Sequence, residues 1–160
     1  MYTFDILQGP AGDLLRLPVR RRIRTLLRSG MCCGLFAGVP CTSFSRARGG
    51  GVNAIRSTAR PQGLPNLSAF TQAKVDEGNH ILQISCQIFR LCHRLGVSFV
   101  WENTWSSFQW DHSLSIEIEN LSGVKDIKLN QCAFGARWYK PTRLRTFGLS
   151  NTTELEKKCR

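Results

Sequence analysis

The sequence predicts an α/β fold, with a mostly parallel sheet flanked by helices. Three observations predict it. Apolar runs of strand length stand at residues 31–37 and 97–101, a long helical pattern at 68–95 separates them, and each run ends in polar residues. The chain has 160 residues, 42% of them hydrophobic, enough for one domain with a core. That domain is expected over residues 1–149, with a polar tail at 150–160.

The elements follow in chain order. Residues 2–7 read as a short strand with Asp5 near its end, broken by Gly9-Pro10-Ala11-Gly12. A helix is expected over 14–28, with Pro18 tolerable in its first turn and with Arg20, Arg21, Arg22, Arg24 and Arg28 covering most of one side. The run at 31–37 is continuously apolar, which predicts a strand buried on both faces. Residues 46–66 are rich in Gly, Arg, Pro and Ser and read as a long mobile loop. In the helix at 68–95, Ile81, Ile84, Ile88, Leu91, Cys92 and Leu95 recur on one face, and Gly96 is its stop. A strand at 97–101, a short helix at 113–121 and strands at 124–129 and 143–149 complete the pattern.

Lysine and arginine total 22 against 11 acidic residues, a formal charge of +11, which favours an acidic partner such as nucleic acid. No amphipathic membrane helix and no apolar run of spanning length is present, so no membrane partner is expected. The seven cysteines form no Cys-x-x-Cys pair, which fits neither a zinc site nor a disulfide framework. His80, His93 and His112 have no paired ligand spacing, so no metal is expected. With no signal peptide, the expected location is intracellular, nuclear in a eukaryote and otherwise cytoplasmic. Trp101, Trp105, Trp110 and Trp138 read first as packing and second as platforms for stacking bases.

Two short stretches carry chemistry. In "GVPCTSFSRAR" an apolar run ends in Pro40-Cys41, followed by Ser43, Ser45, Arg46 and Arg48. A cysteine alone is most often an inert core residue. Proline before it makes a rigid turn, and the polar, basic residues after it make surroundings in which a thiol serves as a nucleophile. In "VSFVWENT" Glu102-Asn103 closes the second apolar run, as a strand-end cap or as an acid held at the sheet edge. In open α/β sheets ligands bind at the carboxyl ends of the strands, where Asp5, Cys41 and Glu102 are all expected.

In this order, 61 residues apart, Pro40-Cys41 and Glu102-Asn103 resemble the paired motifs of the cytosine-5 DNA methyltransferase family. "NQCAFGARWYKPTRLRT" at 130–146 looks like a segment of short, divergent members from phages and mobile elements. Arg143 and Arg145 keep the Arg-x-Arg spacing of the family's later basic motif, and the resemblance runs from residue 4 to about residue 149.

The resemblance implies a partial Rossmann-like S-adenosylmethionine-dependent methyltransferase fold. It implies that Cys41 attacks C6 of a cytosine flipped out of double-stranded DNA. Glu102 would hold the base edge, and Arg143 and Arg145 would support the catalytic loop and the base. Asp5, Asp13 and Pro40 would contact the cofactor. Ser43, Ser45, Arg46, Arg48, Arg56 and Arg60 would contact DNA, the loop closing over it.

The pattern also departs from the family. The first strand, glycine-rich loop and first helix have no counterpart before Asp5, and Thr42 and Thr104 stand where the usual members carry other residues. A basic, non-catalytic nucleic-acid-binding remnant of a mobile element is therefore the alternative. A cysteine hydrolase using His80 as base is the third.

Overall fold

A computed structural model describes residues 1–46 and 54–156. Its order is α1 (Leu17–Arg28), β1 (Gly34–Gly38), α2 (Ala69–Leu95), β2 (Ser98–Thr104), α3 (Ser113–Glu119), β3 (Val124–Asn130) and β4 (Pro141–Phe147). The fold is α/β, a four-stranded mixed sheet flanked by helices.

Local chemistry sets the helices. Pro18 occupies the first turn of α1, where its missing N–H costs nothing, and Val19, Ile23 and Leu27 bury one stripe. Ser68 caps α2 by accepting from the Thr71 N–H, and Gly96 ends it at φ 67°. Leu82, Phe89 and Cys92 on α2 are fully buried and pack with Phe99 and Trp101 of β2. Phe89 stacks on Trp101 with ring centroids 4.9 Å apart.

The sheet order is β1-β2-β4-β3. β1 and β2 are parallel, with α2 as their crossover, and Gly38 pairs with Glu102. β4, last in the chain, inserts between β2 and β3 and is antiparallel to both. So β1, β2 and β3 point one way and β4 alone reverses. This corrects the expected mostly parallel sheet, because only the β1–β2 pairing is parallel. Residues 131–140 between β3 and β4 hold one short 3-10 turn and no crossover helix, so the two strands meet as an antiparallel pair.

Three further expectations change. Residues 2–7 form no strand. Asp5 accepts from the Leu7 N–H and starts a 3-10 turn at Ile6–Gln8, closed by Gly9 at φ 84°. β1 is not buried on both faces. It is an edge strand, and Phe36 on its outer face is 70% exposed. The described part of the 46–66 segment is packed down, with Ile55, Arg56 and Pro61 buried and the Leu64 N–H bonded to the Ile55 carbonyl. Arg48 lies outside the described residues. Among the described residues, no helix is long and apolar enough to cross a membrane.

Candidate functional site

The carboxyl ends of β1 and β2 lie side by side, and the polar residues gather there. Val39 is buried just past β1, and its carbonyl accepts from the Asn103 side-chain amide at 2.9 Å. Asn103 is itself 2% exposed and also donates to Gln109 Oε1. This buried amide ties the Val39-Pro40 turn to β2 and to the turn at Phe108–Asp111. Pro40 and Cys41 then emerge exposed. The Phe44 N–H returns to the Cys41 carbonyl at 2.9 Å and closes a tight turn over the fully buried Phe44 ring.

Two clamps hold that turn. On one side the Phe44 carbonyl accepts from the Phe108 N–H at 2.9 Å. On the other, Arg56 lies over the Phe44 ring, 3.8 Å from its centroid. Arg56 donates to the Ser43 carbonyl, Ser43 Oγ, the Val75 carbonyl, Asn79 Oδ1 and the Pro61 carbonyl. It is fully buried, and burial pulls its pKa down to about 10, with Asp76 opposing. It therefore stays charged at neutral pH. Arg56 and Ser43 thus face inward and meet no DNA phosphate in this conformation, which corrects their expected role. Gly78 of α2 makes room for this packing, since a Cβ there would lie 2.4 Å from Ser43 Oγ.

Glu102 lies on the sheet face opposite Asn103, beside Gly38. Its Oε1 accepts from Lys140 Nζ at 3.1 Å. Its Oε2 is 3.8 Å from where a Gly38 Cβ would stand, which sets the carboxylate against the end of β1. Lys140 precedes β4, whose amino end shares this end of the sheet. The sequence reading assigned Lys140 no role and Asn103 only that of a strand-end cap beside Glu102, although both stand inside the quoted motifs.

The remaining expected site residues fall elsewhere. Arg143 and Arg145 pair with Asn103 and Trp101 across β2–β4 and so share their face, away from Glu102. Arg145 is fully buried and bonds Asp126 twice at 2.8 Å, Glu119 at 2.7 Å and the Ser115 carbonyl. Arg143 bonds Asp126 at 3.1 Å and lies over the rings of Trp105 and Trp110. Both brace the sheet from behind, and the structure does not bring them to Glu102. Arg46 is exposed but engaged, with Asp111 at 2.8 Å, Thr58 Oγ1 at 3.1 Å, the Ser106 carbonyl and the Phe108 ring. Ser45 is half-buried, and Arg60 is exposed beside the turn at Ser57.

Asp5 and Asp13 each accept from a backbone N–H two residues on, at Leu7 and Leu15. Asp13 lines an open cavity of about 440 Å³ with Ile6, Gly9, Pro10 and Arg16, and Pro40 is not part of it. Asp5 is not at a strand end. The Asp5 backbone packs against Gly12, next to Asp13. Among the described residues, no histidine bonds to Cys41. His112 accepts from the Leu114 N–H, His93 bonds the Ser122 carbonyl, and His80 is exposed on α2. No group of three His, Cys, Asp or Glu among the described residues could hold a metal ion. No family model, curated protein or solved structure matches the chain.

Proposed function

We propose that the chain is a cytosine-5 DNA methyltransferase-like protein in which Cys41 forms a covalent adduct with a cytosine. One observation carries the reading: the Glu102 carboxylate lies against Gly38, three residues before an exposed Cys41 on a clamped turn. In this reading the Cys41 sulfur bonds C6, and the electron pair of the C5–C6 double bond moves toward C5. Cys41 attacks as the thiolate, and Glu102, its other oxygen paired with Lys140, shares a proton with N3 of the base, so that the charge brought by the sulfur is neutralised at N3 and does not build on the ring. The base leaves the duplex to reach the pair, and Arg60 is left exposed for a phosphate.

The finer fold assignment belongs to the same proposal. A parallel β–α–β unit with polar residues at its carboxyl edge supports a Rossmann-like methyltransferase fold. The reversed β4 is internal, between β2 and β3, unlike the antiparallel edge strand that otherwise parallel sheets commonly carry. S-adenosylmethionine is the donor that the resemblance implies. Asp5 and Asp13 are each engaged by a local backbone N–H, at Leu7 and Leu15, which favours a second reading, a basic nucleic-acid-binding protein without turnover.

Covalent trapping separates the two. The protein is incubated with duplex DNA carrying 5-fluorocytosine, with and without S-adenosylmethionine, beside Cys41→Ser. A denaturant-resistant adduct in the parent and none in Cys41→Ser is the expected result. No adduct under either condition, with duplex binding retained, leaves the non-catalytic reading.

A further inference from the structure

We infer a second phosphate-binding surface in the groove between α1 and α2, taking the backbone of duplex nucleic acid. Four arginines, Arg24 and Arg28 of α1 with Arg90 and Arg94 of α2, line an open cavity of about 310 Å³ together with Gln87 and Leu91. Arg24 donates to Gln87 Oε1 at 3.0 Å, which sets one guanidinium across the groove. Arg90 pairs with Glu117, the one carboxylate that bonds any of the four among the described residues. Arg28 and Arg94 are exposed and have no side-chain partner among the described residues. Four like charges in one groove repel, and α1 adds exposed Arg21, one turn from Arg24. An anion that accepts from several guanidiniums relieves that repulsion.

The planar fork of arginine matches two phosphate oxygens at once. On α1 the two lining arginines, Arg24 and Arg28, are four residues apart, about 6 Å along the axis, while Arg20 turns back to donate to the Leu15 carbonyl. A row of cations beside a cleft fits a linear polyanion better than a single small anion. The only apolar lining residue, Leu91, is buried, so the groove offers nothing to insert into a lipid surface.

The surface is separate from the Cys41–Glu102 end. Arg28 ends α1 just before β1 starts, and Arg94 lies just before β2 starts. Both strands then run away from the groove to their carboxyl ends, about 15 Å off. The inference therefore does not depend on Cys41 chemistry.

The test is duplex binding by fluorescence anisotropy with a labelled DNA of about 20 base pairs, over a series of salt concentrations. Arg28→Ala/Arg94→Ala is compared with Lys74→Ala/Lys125→Ala, which removes the same charge from exposed positions outside the groove. The arginine pair is expected to weaken binding about tenfold and to flatten the salt slope by about two, whereas the lysine pair changes both far less. Equal effects from the two pairs overturn the inference, because net charge alone would then account for binding. Saturable binding of inorganic phosphate lost in the arginine pair, with duplex affinity unchanged, also overturns it. So does loss of binding to phosphatidylserine vesicles with duplex affinity unchanged.

Discussion

Arg56 is the residue on which the Cys41 turn rests most heavily. Its guanidinium meets acceptors from the turn itself, from the following loop and from α2, and it covers the Phe44 ring. Removing it leaves buried carbonyls at Ser43 and Pro61 without their donor. Arg56→Met is expected to lower stability by about 2–4 kcal/mol, read as a lower urea midpoint with an unchanged slope. Arg56→Lys recovers less than half of that, because an ammonium cannot span acceptors arranged around a planar fork. A change below about 0.5 kcal/mol in Arg56→Met would contradict the role. An arginine in a Gly- and Ser-rich loop reads as a solvent-facing cation, so this role was not legible in the sequence. The acceptors come from positions 43, 61, 75 and 79, and only the folded chain brings them together. The same holds for Glu102 and Lys140, which stand 38 residues apart. Cys41 and Glu102 themselves were legible because each closes an apolar run.

At the scale of elements, the helices were legible because their signals are local. Ser68 and Gly96 bracket α2, and Pro18 marks the start of α1. The strands were legible in place but not in exposure, because which face of β1 is covered depends on partners far along the chain. Residues 2–7 had a strand-like pattern, yet Asp5 takes the Leu7 N–H and turns the chain. The short helix α3 has an unusual cap that yields a pH prediction. His112 Nδ1 accepts from the Leu114 N–H at 3.2 Å, so the ring proton sits on Nε2 and the cap requires the neutral form. Burial lowers the His112 pKa, Arg56 adds to the shift, and Glu117 opposes it. Below the ordinary histidine range near 6.5 the unfolded chain binds a proton that the native chain resists. Stability is therefore expected to fall as pH drops from about 7 to 5, by at most about 1.4 kcal/mol per unit from this group, and to gain nothing from it above pH 7. His112→Asn keeps an N-cap acceptor and removes the titration. Urea midpoints at pH 5, 6 and 7 should slope less in His112→Asn than in the parent, and equal slopes would refute the assignment.

For the whole molecule, the sheet and its helices share one core. Residues of α1, α2 and α3 all pack on the face bearing Leu35, Ala37, Phe99, Trp101 and Phe147. The reversed β4 was beyond sequence reading, since an apolar strand pattern carries no direction. The single core makes opening a collective event, and the cysteines report it. Cys86 and Cys92 are fully buried on α2 between the sheet and the other helices, and burial pushes both thiols up to about 12. Cys33 and Cys41 are exposed. In native protein at pH 7.5, iodoacetamide is expected to label Cys33 and Cys41 promptly, read by mass spectrometry of the peptides. Cys86 and Cys92 are reached only when α2 leaves the sheet. Their labelling should be at least ~10³-fold slower and should accelerate together across the urea transition. The two thiols sit nearly two helical turns apart, so a common rate means that α2 opens as one unit with the sheet. If Cys86 were labelled within about tenfold of the Cys41 rate, α2 would be opening by local fluctuation and the core would not be the cooperative unit its packing implies.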